Sequence, residues 1–251
     1  MDFLQSIFRW IHVVAGIAWI GHLYFFNFVN SVFAPTMDGD TKKKVVPELM
    51  PRALYWFRWG AAWTWITGVL LVLLVFYHNS QYLFDAGATW NAGAIIMIIV
   101  TFAGFLVYDA LANSVLKPLT TATFFISWII VAAIVFLYHY LAGFGFRGYA
   151  IHLGALFGTI MAFNVWFRIW PAQQKIITAT KNGEAPDAAV VGLAGLRSRH
   201  NTYMSVPLVF TMLNQHSTWA ADSPAVLAAL VLVGWGATYW LYTKAPQVKG
   251  F

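Results

Sequence analysis

Apolar residues run in blocks of about twenty along this chain, separated by short polar stretches. A helix rises about 1.5 Å per residue and a bilayer core is about 30 Å thick, so each block has the length of one crossing. The blocks predict seven spans, at 6–33, 54–77, 91–112, 118–141, 149–170, 201–216 and 224–243. The sixth is short, polar and holds Pro207. It is expected to be a kinked or partly buried helix that its neighbours shield from lipid. Long loops are expected at 34–53, which contains Pro35, Pro47 and Pro51, and at 171–200, where 172–182 continues the fifth helix or lies at the interface. No repeat or low-complexity tract interrupts the pattern. The expectation is one all-α domain over 1–251, a polytopic membrane helix bundle.

Composition agrees: 60% of residues are hydrophobic and 10% charged, against about 25% charged in soluble domains. The chain has no cysteine. Thiolate metal sites, iron–sulfur clusters and a covalent c-type haem are therefore excluded within it. The net charge of +6 reports orientation rather than nucleic-acid binding. Of the 15 Lys and Arg, all but Arg9 and Arg147 fall on one side of the seven-span arrangement. That bias predicts a periplasmic N-terminus and a cytoplasmic C-terminus. The first apolar run follows Asp2 and lacks a basic lead and a cleavage site, so no cleaved signal peptide is expected.

Ionisable groups in lipid are costly and tend to mark function. The chain has seven histidines. On the predicted topology His78, His139, His152 and His216 lie at the periplasmic ends of four helices, and His12 lies one to two turns below that surface. His22 is about 15 Å deeper and about 80° further round the first helix. Histidines at helix ends are commonly half-solvated groups bonded to carbonyls. Five from five helices in one leaflet point instead to bis-imidazole ligation of non-covalent haem b, in one or two copies. Pairing among His12, His78, His139, His152 and His216 is open, with His22 also facing the cofactor. In the first helix His12, Gly16, Trp19, Leu23, Phe26 and Asn30 recur on one face, which suits either a flat ring or ordinary helix packing.

At the cytoplasmic side residues 197–203 read RSRHNTY. Placed at the start of a short helix, they would join backbone N–H groups and the dipole in attracting an anion. Arg199, His200 and Asn201 are the expected substrate-binding and catalytic groups for a planar, hydrogen-bonding anion. Arg197 reads as a membrane-surface anchor. Asp109, the one acid well inside a span, reads as the partner of Arg58 or Arg168.

Three segments, WIHVVAGIAWIGHLYFFNFV (10–29), NVWFRIWPAQQKII (164–177) and RSRHNTYMSVPLVFTMLNQH (197–216), together resemble the membrane domain of the bacterial urate oxidase (urate hydroxylase) family. The His-plus-Gly pattern of the first helix is also similar to membrane haem proteins such as the membrane-type protoporphyrinogen oxidases. The resemblance covers essentially the whole chain. It implies oxidation of urate or a related purine in a bacterial inner membrane, with electrons passed to a cytochrome c. Carried over by motif, it involves His12, His22, Arg199, His200, Asn201 and His216. Family members join this domain to a C-terminal cytochrome c. No C-x-x-C-H occurs here, so a separate cytochrome-containing partner is expected. The other readings are a non-catalytic haem b electron-transfer subunit of a respiratory complex and a metal-handling or transport protein.

Overall fold

The computed structural model describes residues 2–117, 120–221 and 223–250. The fourth predicted span begins at 118, so its first two residues lie outside the described ones. Seven long helices form a bundle: α1 Asp2–Thr36, α2 Gly39–Tyr77, α3 Ala92–Ala112, α4 Thr121–Tyr140, α5 Phe146–Asn182, α6 Ala188–Leu213 and α7 Pro224–Gln247. All except α6 are long and apolar enough to cross a membrane, as a multi-pass protein requires. The polar α6 is packed among α1, α5 and α7, as its composition demands.

Local chemistry sets the helix starts. The side chains of Asp38, Asn91, Thr120, Asp187 and Ser223 each accept a backbone N–H of the following first turn. Two hydrogen bonds from Thr41, backbone and side chain, hold the Asp38 carboxyl below the usual carboxylate range. Gly183 ends α5 with φ +76°, the left-handed cap that glycine adopts without penalty. Three helices contain one widened π-type stretch, at Phe25–Asn30 in α1, Leu73–Tyr77 in α2 and Val165–Ile169 in α5.

Two expected loops are helical. Only residues 37–38 separate α1 from α2, and α2 runs through Pro47 and Pro51. Each proline removes one backbone hydrogen bond. Exposed Lys43, Lys44 and Glu48 place this part of α2 in solvent, where water serves the freed carbonyls. The polar stretch marked the edge of the membrane, not the end of the helix. Likewise α5 continues through 172–182, and α6 begins at Ala188 rather than 201. The RSRHNTY segment therefore sits in the middle of a helix, and the expected anion site at a helix N-terminus is not there. Pro207 stays within α6, fitted against Gly234 of α7, where a Cβ would meet its ring at 3.0 Å.

Helices α1 and α2 run antiparallel in close contact. A Cβ on Gly60 would lie 3.0 Å from the Trp19 nitrogen and 3.1 Å from the Ala15 oxygen. The close approach thus comes from glycine on α2 rather than from Gly16. Backbone atoms cannot yield, so Gly60→Ala is expected to cost about 1–3 kcal/mol through overpacking. Thermal unfolding in detergent should show the loss. Gly236→Ala, which meets nothing within 4 Å, should leave unfolding unchanged.

Candidate functional site

The site is a polar core near the basic end of the bundle, the end that carries Lys42–Lys44 and Lys244. Burying polar groups here is tolerable because they satisfy one another. Tyr108 of α3 is the hub. Its hydroxyl lies 2.8 Å from His200 Nδ1 and receives a hydrogen bond from Asn164 Nδ2 at 3.0 Å. Asn164 Nδ2 also donates to Asn201 Oδ1 at 2.9 Å, and Asn201 Nδ2 donates to the Met161 carbonyl at 3.0 Å. Asn164 and Asn201 are fully buried. Helices α3, α5 and α6 are thus joined through one chain of hydrogen bonds.

A charged cluster adjoins it. Arg168 grips Asp109 with both arms, Nε to Oδ1 at 2.9 Å and Nη2 to Oδ2 at 2.5 Å. Arg197 Nη2 donates to the same carboxylate at 2.8 Å and to Asn113 Oδ1 at 2.8 Å. The expected pairing of Asp109 with Arg168 is present. Arg58 instead lies over the Trp170 ring at 3.9 Å. Arg197 is not a surface anchor: it is fully buried, with its guanidinium 5.2 Å from the Tyr108 ring. Because α6 starts at Ala188 rather than at 201, Arg197 is carried into the bundle.

Three buried atoms in this region have no hydrogen-bond partner among the described residues: Arg197 Nε, Arg197 Nη1 and Asn164 Oδ1. Unmet buried polar groups typically cost about 1–3 kcal/mol each, more when charged. They occur here beside Tyr108 and His200.

Arg199 faces the other way. Its guanidinium lies 4.7 Å over the Tyr242 ring, and Tyr242 donates to Asn27 Oδ1 at 2.8 Å. Asn27, in the π-type stretch of α1, donates in turn to Ser198 Oγ at 2.8 Å. The three expected residues therefore divide: His200 and Asn201 share one network, and Arg199 belongs to a second. Sequence reasoning missed Tyr108, Asn164 and Asn27. Asn164 and Asn27 had a signal, since each is an amide inside an apolar run. Tyr108 had none.

The expected haem ligands at the opposite end are dissimilar. Buried His152 donates from Nδ1 to the Gly148 carbonyl at 2.7 Å, and its Nε2 accepts from Tyr77 at 2.9 Å. Both nitrogens are hydrogen-bonded, and its ring centroid lies 4.5 Å from that of Phe144. His216 is exposed on a turn beyond α6 rather than at its end, with Arg147 Nη2 at 3.3 Å from Nδ1. His78 is exposed just past α2. His139 Nδ1 lies 3.2 Å from the Phe144 carbonyl and 3.3 Å from Asp85. His12 Nδ1 lies 3.2 Å from Thr67 Oγ1, whose own proton goes to the Trp63 carbonyl, so the imidazole is the donor. His22 donates from Nδ1 to the Ala18 carbonyl at 2.7 Å. Among the described residues no three His, Asp or Glu side chains come together as a metal site.

Fold and site together define a polytopic helical membrane protein with a buried Arg–Asp–Tyr–His–Asn core near its basic end. The chain belongs to the urate oxidase N-terminal family, whose model matches residues 1–248. No curated protein and no solved structure matches it.

Proposed function

We propose that this protein oxidises urate or a closely related oxopurine at the Tyr108–His200 network, releasing two electrons to an acceptor. The observation that carries this reading is the set of unused groups beside Tyr108. Arg197 Nε–H and Nη1–H, on different edges of the guanidinium, and Asn164 Oδ1 call for a ligand with acceptors and an N–H around its rim. An oxopurine alternates C=O and N–H around its rim. Arg suits such planar, anionic edges better than Lys does. Family membership supplies the same substrate class independently.

His200 and Tyr108 share a proton across 2.8 Å, and that pair is positioned to take one from the purine as electrons leave. Water supplies the oxygen that forms the new C–O bond. Asn201 holds Asn164 in place. Arg199, stacked on Tyr242, is proposed to draw the anion in from the cytoplasmic side, the side the charge bias assigns to this end. His200→Ala is expected to lower urate-driven reduction of a soluble dye by about 100-fold or more. Arg199→Ala should mainly raise KM. Equal rates in wild type and His200→Ala would remove His200 from the chemistry.

Haem b, in one or two copies, is the electron carrier that the family resemblance implies, with a cytochrome c or a cytochrome-containing subunit as partner. An axial imidazole needs Nδ1 held by protein and Nε2 free. His12, His22 and His139 meet that description; His152 does not. Bound haem would carry electrons one at a time. A pyridine haemochrome assay should show less haem in His12→Ala or His22→Ala and unchanged haem in His216→Ala.

A further inference from the structure

A groove of about 410 Å³ lies between α3 and α5, lined by Phe102, Phe105, Leu106, Phe163, Phe167 and Arg168. Its flanks face outward from the bundle, Leu106 being 70% and Phe167 56% exposed on membrane-crossing helices. An occupant therefore enters from the lipid phase. Its inner wall adjoins the site: the Phe105 ring is 6.4 Å from that of Tyr108, whose hydroxyl is 2.8 Å from His200.

We propose that this groove binds the head of a lipid-phase quinone, a flat quinone ring on an isoprenoid tail, which accepts the two electrons of the oxidation in place of the cytochrome partner. The acceptor role rests on the purine-oxidation reading above; the binding site does not. A groove of this size suits a substituted quinone ring with the start of its tail. Phenylalanine edges and faces suit an aromatic-sized ring. A guanidinium has five N–H groups. Arg168 uses three, two on Asp109 and one on the Phe167 carbonyl. The other two are left for a quinone carbonyl. The Asp109 carboxylate on the same guanidinium repels a phosphate, which favours this neutral ring over a phospholipid headgroup. The exchange balances. The purine loses two electrons and two protons as water oxygen bonds to it, and the quinone takes up two electrons and two protons to become a quinol.

The test uses the protein in nanodiscs with a photoreactive azidoquinone. Label is expected in peptides spanning 102–106 or 163–168, competed by decylubiquinone and not by phosphatidylglycerol. Leu106→Trp, a change at an exposed position that fills the mouth, should lower both labelling and urate-driven decylubiquinone reduction at least tenfold, with urate-driven dye reduction retained. Labelling elsewhere, or competition by the anionic lipid alone, overturns the site. Dye reduction by urate without quinone reduction overturns the acceptor role and leaves purine oxidation standing. If urate reduces neither, purine oxidation fails and the acceptor role falls with it, while labelling still decides the site.

Discussion

Arg197→Lys is expected to lower urate-driven electron transfer by about 100-fold or more, in a protein that still folds. Lysine keeps the positive charge beside Asp109, so the carboxylate retains its partner inside the bundle. It lacks Nε and Nη1, the two atoms with no protein partner in the native core. An ammonium at another position cannot replace these two directed N–H donors. Losing one preorganised donor of this kind typically costs about 100- to 1000-fold in turnover. Steady-state dye reduction with urate gives the activity, and thermal unfolding shows whether the fold survives. Near-native turnover would mean that the unused donors do not meet substrate.

Asp109→Ala should have the largest effect on stability. Asp109 is the shared counter-charge for Arg168, whose side chain is 36% exposed, and for Arg197, which is fully buried. Removing it leaves a permanent cation in the bundle without an anion. Stranding one partner of a buried ion pair typically costs about 3–5 kcal/mol. Arg168→Ala should cost less, because Asp109 retains Arg197 and the lost guanidinium is partly solvated. Folded yield and unfolding temperature in detergent rank the two. Equal losses would mean that Arg197 does not depend on Asp109.

How much of this was legible in the sequence differs by element. Hydropathy located the helices because each crossing must bury its own backbone polar groups in lipid. The same signal misplaced the beginnings of α2 and α6, since both helices run on into polar sequence where hydropathy falls but the cap lies further out, at Asp38 and Asp187. That error carried over to the site. With α6 started at 201, Arg197 read as an anchor; with α6 started at Ala188, it becomes a buried cation. His200 and Asn201 were visible because polar groups in a helical span need partners. Their partners, Tyr108 and Asn164, lie 92 and 37 residues away and follow only from how α3, α5 and α6 pack. The histidines shared a depth in the topology, but depth says nothing of where a ring points. His152 turned out to be engaged through both nitrogens.

The most direct measurement is anaerobic incubation of the purified protein in nanodiscs with urate, an artificial electron acceptor and ¹⁸O-labelled water. Two electrons should reach the acceptor and one labelled oxygen should enter the purine product per urate consumed, with both signals lowered about 100-fold or more in Arg197→Lys and His200→Ala. Unchanged urate and an unreduced acceptor, from a folded wild-type protein, would contradict it.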